Sequence, residues 1–398
     1  MIQRSEPTDT PPLVKPERRK IHLFVLIDAL GWEYVKTREF LDDVLPYRGP
    51  LRTVLGFSSG AIPTILTGVS PSINGHWNLF YYDPQGSPFR WLKYFQFLPD
   101  AILNNRVSSK ILKELGRRVL GLGPLFDCGV SPRLLRWFNW VEKRNIYGRG
   151  GISGASSIFD ELAERNIPHR IYSYHHLSDA RIVNEAQKDI IESDAEFLFL
   201  YLSEMDMFLH SNCSQPKEID RKIAWYDEQL RSVLNTAREI DPDASMTIFS
   251  DHGMTPVHQH YDLMRDIEAL PFRMPIDYLA IYDSTMARFW FFSDDARRGI
   301  VDCLQNSPCG RILQDEELRD LGVFFDDRRY GELVFLLKPG WLVARSDFNG
   351  PRWVPVGMHG YHPDDCFSDA VFLADRQPPT PMRTIADVYP CMQEAIPR

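Results

Sequence analysis

Short apolar runs that alternate with helix-like stretches are the feature that most constrains how this chain can fold. The runs are rich in β-branched or aromatic residues and cover His22 to Ile27, Ile171 to Tyr174, Glu196 to Leu202, Ser245 to Phe249 and Ala370 to Leu373. The helix-like stretches are Trp32 to Leu45, Ser58 to Leu66, Ala155 to Arg165, Pro216 to Arg238 and Ile385 to Ala395. This alternation predicts an α/β fold with a mostly parallel central sheet and helices on both faces.

Two segments interrupt the alternation. The first, at about residues 81–147, is crowded with aromatic and basic residues and predicts inserted helices that form a lid, with its aromatic side chains packing onto the core rather than meeting lipid. The second, at about residues 262–352, combines strand-like and helix-like runs and predicts a small α+β cap. Residues 1–20 are polar and proline-rich and predict a flexible tail. Residues 21–398 are therefore expected to form one main domain that carries both inserts.

Composition excludes several broad classes of protein. The net charge of −9 argues against a general nucleic-acid binder, which would show a basic surface. No apolar run approaches the roughly 20 residues of a membrane helix, and the first twenty residues do not resemble a secretory signal. The six cysteines form no CxxC pair, as is typical of reduced thiols, so we expect a cytoplasmic protein.

Acidic and histidine side chains follow the predicted strands. In a parallel sheet, ligands gather at the carboxyl ends of the strands. Asp206 and His210 are four residues apart, which places both on one side of a helical turn. Each motif alone is as consistent with a structural role as with a functional one, but together they predict a site for two divalent ions, with zinc preferred and manganese as the alternative. The candidate ligands are Asp28, Asp206, His210, Asp251, His252 and His359.

Ser58 and Ser59 lie where the second helix-like stretch begins. Serine is a favoured N-cap residue, so a purely structural role is one interpretation. A helix N-terminus also favours a phosphate group, and a hydroxyl beside two divalent ions can be ionised enough to attack phosphorus. The neighbouring candidate ligands favour this second interpretation.

The chain resembles the alkaline phosphatase superfamily, and most of all its nucleotide pyrophosphatase/phosphodiesterase (type I phosphodiesterase) branch. The matching segments are IDALGW, LTGVSPSINGH, SEMDMFLH, IFSDHGM and GMHGY, which together span most of residues 21–374. The resemblance implies two metal sites, one formed by Asp206, His210 and His359 and the other by Asp28, Asp251, His252 and the oxygen of the nucleophile.

The resemblance also implies roles for residues around the metals. The nucleophile of the family lies nine residues before the threonine of a TG pair, which is Ser58 here, with Ser59 as the fallback candidate. Asn78 fits, with a one-residue gap, the asparagine that donates to a phosphate oxygen. The branch usually has threonine followed by phenylalanine, proline and asparagine at the nucleophile, and this departure leaves the nucleotide preference open. His362, three residues after His359, is a candidate substrate contact because of its position in the sequence.

The sequence thus predicts a metal-dependent hydrolase of phosphate diesters or pyrophosphates that forms a covalent phospho-enzyme on serine. The expected substrate is a small phosphate ester or nucleotide-type molecule, with no nucleic-acid partner and no integral membrane segment. The alternatives are a phosphomonoesterase or phosphonate-ester hydrolase of the same superfamily and a phosphoryl transferase to an alcohol. A non-catalytic binding protein is disfavoured because the full set of ligands and a hydroxyl are present.

Overall fold

The computed structural model describes residues 19–95, 110–112, 114–116, 132–173, 177–347 and 354–396. The strands are β1 (His22–Ile27), β2 (Tyr47–Leu51), β3 (Phe80–Tyr82), β4 (Phe138–Trp140), β5 (His169–Tyr172), β6 (Phe197–Leu202), β7 (Ser245–Phe249), β8 (Thr255–Pro256), β9 (Gln259–Tyr261), β10 (Tyr278–Tyr282), β11 (Met286–Phe291), β12 (Gly310–Ile312), β13 (Leu333–Leu337), β14 (Trp341–Val343), β15 (Gly357–Met358) and β16 (Ala370–Ala374).

The α-helices are α1 (Trp32–Val35), α2 (Ser58–Thr67), α3 (Pro71–Asn74), α4 (Pro132–Leu135), α5 (Ile158–Glu164), α6 (Asp179–Glu192), α7 (Glu204–Asn212), α8 (Pro216–Ile240), α9 (Leu263–Glu268), α10 (Asp294–Gln305), α11 (Asp315–Asp320) and α12 (Val388–Glu394). Short 3₁₀ turns lie at Arg90–Phe95, Cys366–Ser368 and Ile385–Asp387. Within the described ranges, no helix combines the length and the apolar character needed to cross a membrane.

A six-stranded sheet in the order β2-β16-β7-β1-β6-β5 forms the centre of the molecule. Strands β5, β6, β1 and β7 pair in parallel, and β16 runs antiparallel to both of its neighbours. Ile27 at the end of β1 pairs with Leu202 at the end of β6, so the two strands finish level with each other. The predicted α/β fold with a mostly parallel sheet is confirmed.

Helices cover both faces of this sheet. Along β1, Leu23, Val25 and Ile27 belong to one buried cluster, which includes residues of α6, α7 and α8. Phe24 and Leu26, which point to the opposite face, belong to a second cluster with residues of α2, α5 and α12. Because each face is buried, the strand is apolar at every position from 23 to 27, and each such side chain contributes about 1.5–3 kcal/mol when it leaves water.

The predicted helix from Trp32 to Leu45 is wrong in extent, because α1 ends at Val35. The following segment is held by side chains instead: the Leu41 N–H donates to Asp227 at 2.7 Å. Leu41 also has a φ of 53°, in the left-handed region that a helix does not contain. The left-handed Leu41 and its contact with a distant aspartate therefore exclude a continuous helix up to Leu45, and helical periodicity does not reveal such a contact.

The first insert contains less helix than predicted in its described part. The segment RLLRWFNW is helical only in α4 and then extends into β4, which pairs with β3 in a short antiparallel ladder. Phe80 and Phe89 pack against Trp140, with ring centroids 5.3 and 5.4 Å apart. These aromatic residues form a local core, and this packing favours the extended conformation at β4. The predicted helix in KILKELGRRVLGL is helical at residues 110–112 and 114–116, and the predicted helix in FRWLKYFQFL is a 3₁₀ turn at Arg90–Phe95; the other residues of these two segments lie outside the described part of the chain.

The second insert has the expected mixed composition. Strands β10, β11, β13 and β12 form an antiparallel sheet that packs with α10 around Phe289, Phe335 and Ile300. The buried Arg288 of β11 pairs with Asp283 at 2.8 Å and also donates to the Phe80 carbonyl at 3.0 Å, which ties the cap to the first insert. The boundaries proposed for the tail, the lid and the cap stay predictions.

Candidate metal centre and active site

Asp28 directly follows β1 at the carboxyl end of the sheet. Its backbone N–H donates to the Leu202 carbonyl at 3.0 Å, which continues the β1–β6 pairing by one residue. The hydroxyl of Tyr201 donates a short hydrogen bond to Asp28 Oδ2. Asp28 Oδ1 is buried without a hydrogen-bond partner and lies 3.6 Å from His252 Nε2. One carboxylate oxygen is therefore fixed while the other points into the site.

Asp251 and His252 follow β7, the neighbour of β1. Asp251 Oδ1 accepts from the backbone N–H of Ala29 at 3.2 Å and of His252 at 3.0 Å. Its Oδ2 has no hydrogen-bond partner and lies 3.2 Å from His252 Nε2. His252 Nδ1 is 2.9 Å from the Gly253 carbonyl, so this nitrogen carries the proton and Nε2 offers a lone pair. A Cβ on Gly253 would overlap the carbonyl oxygen of Phe367, which explains the glycine.

We call Asp28, Asp251 and His252 the inner group, and Asp206, His210 and His359 the outer group. Asp206 and His210 stand four residues apart on α7, with Asp206 Oδ1 3.3 Å from His210 Nε2. His359 follows β15, and its Nε2 lies 3.5 Å from the same oxygen. His210 Nδ1 is 2.8 Å from the Gly357 carbonyl, so Nε2 is the ring nitrogen on the side of Asp206 and is the candidate metal ligand.

Both groups fit a small divalent cation. Within each group, one ligand atom per residue lies within 4.8 Å of the others. The closest pairs, at 3.2 to 3.6 Å, match the roughly 3.4 Å between ligands that each lie about 2.1 Å from a tetrahedral ion. Asp28 Oδ1, Asp206 Oδ1 and Asp251 Oδ2 are all buried without a hydrogen bond. Each such atom costs about 1–3 kcal/mol unless a cation compensates it.

The two groups share one site, because the imidazole rings of His252 and His359 stack with centroids 3.8 Å apart. Burial, together with the charges of Asp251 and Asp206, raises the pKa of Asp28 well above its ordinary value. Burial also lowers the pKa of His359, with the nearby His252 acting in the same direction. His359 is consequently neutral, the form in which imidazole binds a metal.

Asp206 and His210 form an ion pair within the outer group. Burial acts against the charge of Asp206, but the charge of the facing His210 outweighs burial and, together with His359, holds the pKa of Asp206 below its ordinary value. Burial likewise acts against the charge of His210, yet Asp206 raises the pKa of this imidazole. Each charge of the pair thus favours the other, as is expected of two coupled groups.

Ser58 is the first residue of α2, and its hydroxyl lies 3.0 Å from His252 Nε2 of the inner group. Ser59 is different, since its hydroxyl donates to the Trp77 carbonyl at 3.1 Å and is buried there. A Cβ on Gly60 would lie 2.8 Å from the same carbonyl, so glycine permits the close approach of the two chain segments. Of the two candidate nucleophiles, the structure therefore brings Ser58 to the candidate metal centre.

Asn78 and His362 are not brought to the same place. Asn78 is fully buried, and its Nδ2 lies 3.7 Å from Met286 Sδ. In His362, Nε2 lies 3.3 Å from Glu317 Oε1 and Nδ1 lies 3.3 Å from Asp364 Oδ2. Neither residue is among the described residues that line the cavity at the site, so their roles toward substrate stay predictions.

Tyr201 is a site residue that sequence analysis missed. It lies within β6, where an aromatic residue is readily interpreted as core packing, and its contact with Asp28 joins two residues 173 positions apart. The one available signal is its place next to the end of a strand that faces the site.

A cavity of about 510 Å³ opens onto both groups, a size suited to a small organic ligand. Its described lining consists of Asp28, Phe57, Ser58, Ser59, Ile62, Leu79, Glu142, Ile146, Tyr147, Tyr201, Ser203, Glu204, Asp206, Met207, His210, Ser284, Met358 and His359. The first insert contributes Glu142, Ile146 and Tyr147. The cavity therefore combines the candidate metal centre with a wall that belongs to the insert.

Comparison with known proteins agrees with this architecture. The sequence model of the type I phosphodiesterase / nucleotide pyrophosphatase family matches residues 23–362. No curated protein sequence matches the chain. Among solved structures, human ectonucleotide pyrophosphatase/phosphodiesterase 5 is similar with a TM-score of 0.66 and 14% identity, covering 94% of each chain.

The murine counterpart gives the same result. It has a TM-score of 0.66 and 16% identity, with coverage of 95% of this chain and 96% of the murine chain. An inactive variant of the murine protein in complex with AMP also has a TM-score of 0.66 and 16% identity, covering 94% of each chain. These neighbours establish the shared fold.

Proposed function

The chain belongs to the type I phosphodiesterase / nucleotide pyrophosphatase family and is a phosphoric ester hydrolase, and we propose that it cleaves small phosphate diesters with Ser58 as nucleophile and two bound divalent ions. The observation that carries this proposal is the 3.0 Å approach of Ser58 Oγ to His252 Nε2. It places a hydroxyl at the inner group, at a helix N-terminus and on the wall of the cavity.

The inner group would hold one ion and the outer group the other, with zinc as the preferred metal for carboxylate and imidazole ligands. Such ions lower the pKa of a nearby hydroxyl and withdraw charge from phosphate oxygens. In the first step, the Ser58 hydroxyl gives its proton to solvent and its oxygen attacks phosphorus; the bond to one ester oxygen breaks, and that oxygen takes a proton from solvent and departs as the alcohol. In the second step, water attacks the phosphoserine, and the bond to Ser58 Oγ breaks to release a phosphate monoester.

Residues of the chain hold the reacting groups in place. Tyr201 and two backbone N–H groups fix the inner carboxylates, so their free oxygens keep one direction. The N-terminus of α2 directs its dipole toward the position of the phosphate. Asn78, carried by the segment that packs on the first turn of α2, remains the candidate donor to a phosphate oxygen.

A small diester is the substrate class that the cavity supports. The cavity, with a volume of about 510 Å³, can hold a phosphate with one organic group of the size of a nucleoside or smaller. Because a murine structural neighbour forms a complex with AMP, nucleotide-type esters are the first natural class to test.

Turnover of bis-p-nitrophenyl phosphate beside p-nitrophenyl phosphate tests the proposal, with the metal-loaded protein and a chelator control. Faster cleavage of the diester that stops with chelator is the expected result. A preference for the monoester would contradict the diesterase assignment and indicate a phosphatase. Activity that survives complete metal removal would contradict the role of the ions.

A further inference from the structure

The helix that carries two of the outer ligands begins with a serine that does not cap it. Helix α7 holds Asp206 and His210, and the side chain of its N-cap residue, Ser203, makes no capping hydrogen bond. A side chain at this position usually accepts from one of the free N–H groups at the start of a helix. The start of α7, directly after β6, therefore takes its side-chain acceptor from another part of the chain.

That acceptor is Asp179, the first residue of α6. Its Oδ1 accepts from the backbone N–H of Ser203 at 2.9 Å, and its Oδ2 accepts from that of Glu204 at 3.2 Å. The side chain is fully buried, and the hydroxyl of Tyr226 on α8 also donates to Oδ2, at 2.5 Å. Three donors thus fix a buried carboxylate at the N-terminus of α7, where the helix dipole favours an acidic group.

The two helices cap each other. The backbone N–H of Asp179 donates to Glu204 Oε1 at 3.2 Å, so the first residue of each helix binds the first residue of the other. The two carboxylates differ in their surroundings. The Glu204 side chain is 44% exposed and pairs with Lys222, whereas Asp179 is fully buried and supplies both side-chain acceptors at the start of α7. Asp179 is therefore the member of the pair that holds α7 in place.

The position of α7 decides whether the outer group can hold an ion. Asp206 lies two residues after Glu204. Its Oδ1 lies 3.3 Å from His210 Nε2 and 3.5 Å from His359 Nε2. Because His359 comes from a different segment, after β15, the group is complete only while α7 keeps its place relative to that segment. Metal sites keep their ligand distances to within about 0.2 Å, so a small shift of the helix would weaken the site.

We propose that Asp179 is a positioning residue of the outer group, which holds the start of α7 so that Asp206 and His210 meet His359 at the spacing that a divalent ion requires. This inference rests on the proposed function and extends its two-ion site. Asp179 is not among the described residues that line the cavity, and it acts through the helix that carries the ligands. Tyr201 supports the inner group by contacting a ligand directly, whereas Asp179 supports two ligands at once.

The test measures zinc affinity in Asp179→Asn by competition with a chelating dye. Asparagine has one acceptor oxygen in place of two, so at least one of the three donors then faces an amide NH₂ group. Combined with Asp251→Ala, which retains the outer group, the substitution is expected to lower zinc affinity roughly tenfold. Combined with His359→Ala, which retains the inner group, it should leave zinc affinity unchanged.

Asp189→Asn is the matched control. Asp189 lies on the same helix and also accepts from a tyrosine hydroxyl, that of Tyr172 at 2.6 Å. Its partners, Tyr172 and Arg170, belong to β5. The control variant should keep the zinc affinity of both groups.

Tyr226→Phe provides a milder change at Asp179. It removes one donor and keeps both backbone contacts with the start of α7. Zinc affinity should decrease less than in Asp179→Asn, and only at the outer group. If Asp179→Asn does not fold, this variant decides the question, and an unchanged outer affinity in it overturns the inference.

Turnover at different zinc concentrations gives a second readout on Asp179→Asn without the other substitutions. Hydrolysis of bis-p-nitrophenyl phosphate should be low at the zinc concentration that saturates the wild type and should recover at roughly tenfold higher zinc. A purely structural role would lower the free energy of unfolding of the metal-free protein without this recovery.

An unchanged outer affinity in Asp179→Asn, or an equal loss at both groups, would overturn the inference and leave the proposed function standing. Zinc binding by both groups without hydrolysis of any diester would instead overturn the proposed function. The affinities of the two groups would still decide the role of Asp179 in that case.

Discussion

The inner and outer groups use similar side chains but are built differently. The inner ligands sit directly at the ends of adjacent strands, and all three are buried. Their remaining polar atoms are fixed by Tyr201 and by backbone N–H groups. The outer ligands come from α7 and from the residue after the short strand β15, and the Asp206 side chain is 23% exposed toward the cavity.

This difference indicates that the two groups have different roles in the reaction. The inner group is part of the sheet and contacts Ser58, so it suits the task of orienting and activating the nucleophile. The outer group borders the cavity with Asp206, His210 and His359, where an ester oxygen would depart. We expect the inner ion to be held more firmly and the outer ion to exchange more readily.

Removal of the Ser58 hydroxyl is expected to have the largest effect. Ser58→Ala deletes the attacking oxygen, so diester turnover should fall by at least about 10³-fold. Metal content should stay close to that of the wild type, because all six protein ligands remain. Steady-state kinetics and metal analysis of the same preparation check both statements.

Ser59→Ala is the matched control for this variant. It removes the hydrogen bond to the Trp77 carbonyl and should cost about 1 kcal/mol of the free energy of unfolding, with activity reduced only a few-fold. A large loss of turnover in Ser59→Ala, with Ser58→Ala still active, would mean that Ser59 is the nucleophile.

Substitution of one ligand in each group separates the two sites. Asp251→Ala should abolish binding of the inner ion, and His359→Ala that of the outer ion, so metal analysis should show one ion fewer per chain in each variant. Turnover should drop by roughly 10²-fold or more in either variant, since both ions would act on the phosphate. Loss of both ions in Asp251→Ala alone would show that the outer site depends on the inner one.

Tyr201→Phe tests whether the hydrogen bond from Tyr201 to Asp28 increases the metal affinity of the inner group. The change keeps the buried ring and removes the hydrogen bond to Asp28 Oδ2. Affinity for the inner ion should fall roughly 10–100-fold, with the outer ion unaffected. Competition with a chelating dye measures the two affinities, and an equal decrease at both sites would argue against a local role for this hydroxyl.

Features that follow from the period of apolar residues and from the position of a residue after a strand could be predicted from the sequence. Buried strands such as β1 are apolar along most of their length, and acidic residues that closely follow such strands, such as Asp28 after β1 and Asp251 after β7, can be placed at one edge of the sheet. The metal-site assignment within each group came from resemblance to a family and agrees with the two groups that the structure assembles.

Features that depend on contacts between distant residues could not be predicted in this way. The non-helical conformation at Leu41 is held by Asp227, and Asp28 is held by Tyr201. Glu142 reaches the cavity because β4 pairs with β3, a ladder that aromatic packing favours in a segment with helix-like composition. In each case the deciding partner lies far away in the chain and leaves no periodic signal.

A further expected effect is the pH dependence of metal binding at each group. The pKa of Asp28 in the inner group and the pKa of His210 in the outer group are both raised, so each metal-free group binds a proton up to a higher pH than the free side chain would. Since metal binding requires the deprotonated ligands, each ion must displace one proton. Affinity therefore falls as pH is lowered below the pKa of the metal-free group, by roughly tenfold per pH unit.

The single-site variants allow this dependence to be measured for one group at a time. Asp251→Ala retains the outer group and His359→Ala the inner group, so chelator competition between about pH 5.5 and 8 gives two separate curves. Calorimetry in buffers of different ionisation enthalpy counts the protons released in each. A pH-independent affinity with no proton release at the inner group would show that Asp28 is already ionised before the metal binds. In that case the protein itself would stabilise the negative charges of Asp28, Asp251 and Asp206 when no metal is bound. The inner and outer groups would then differ in their accessibility to solvent and not in their protonation.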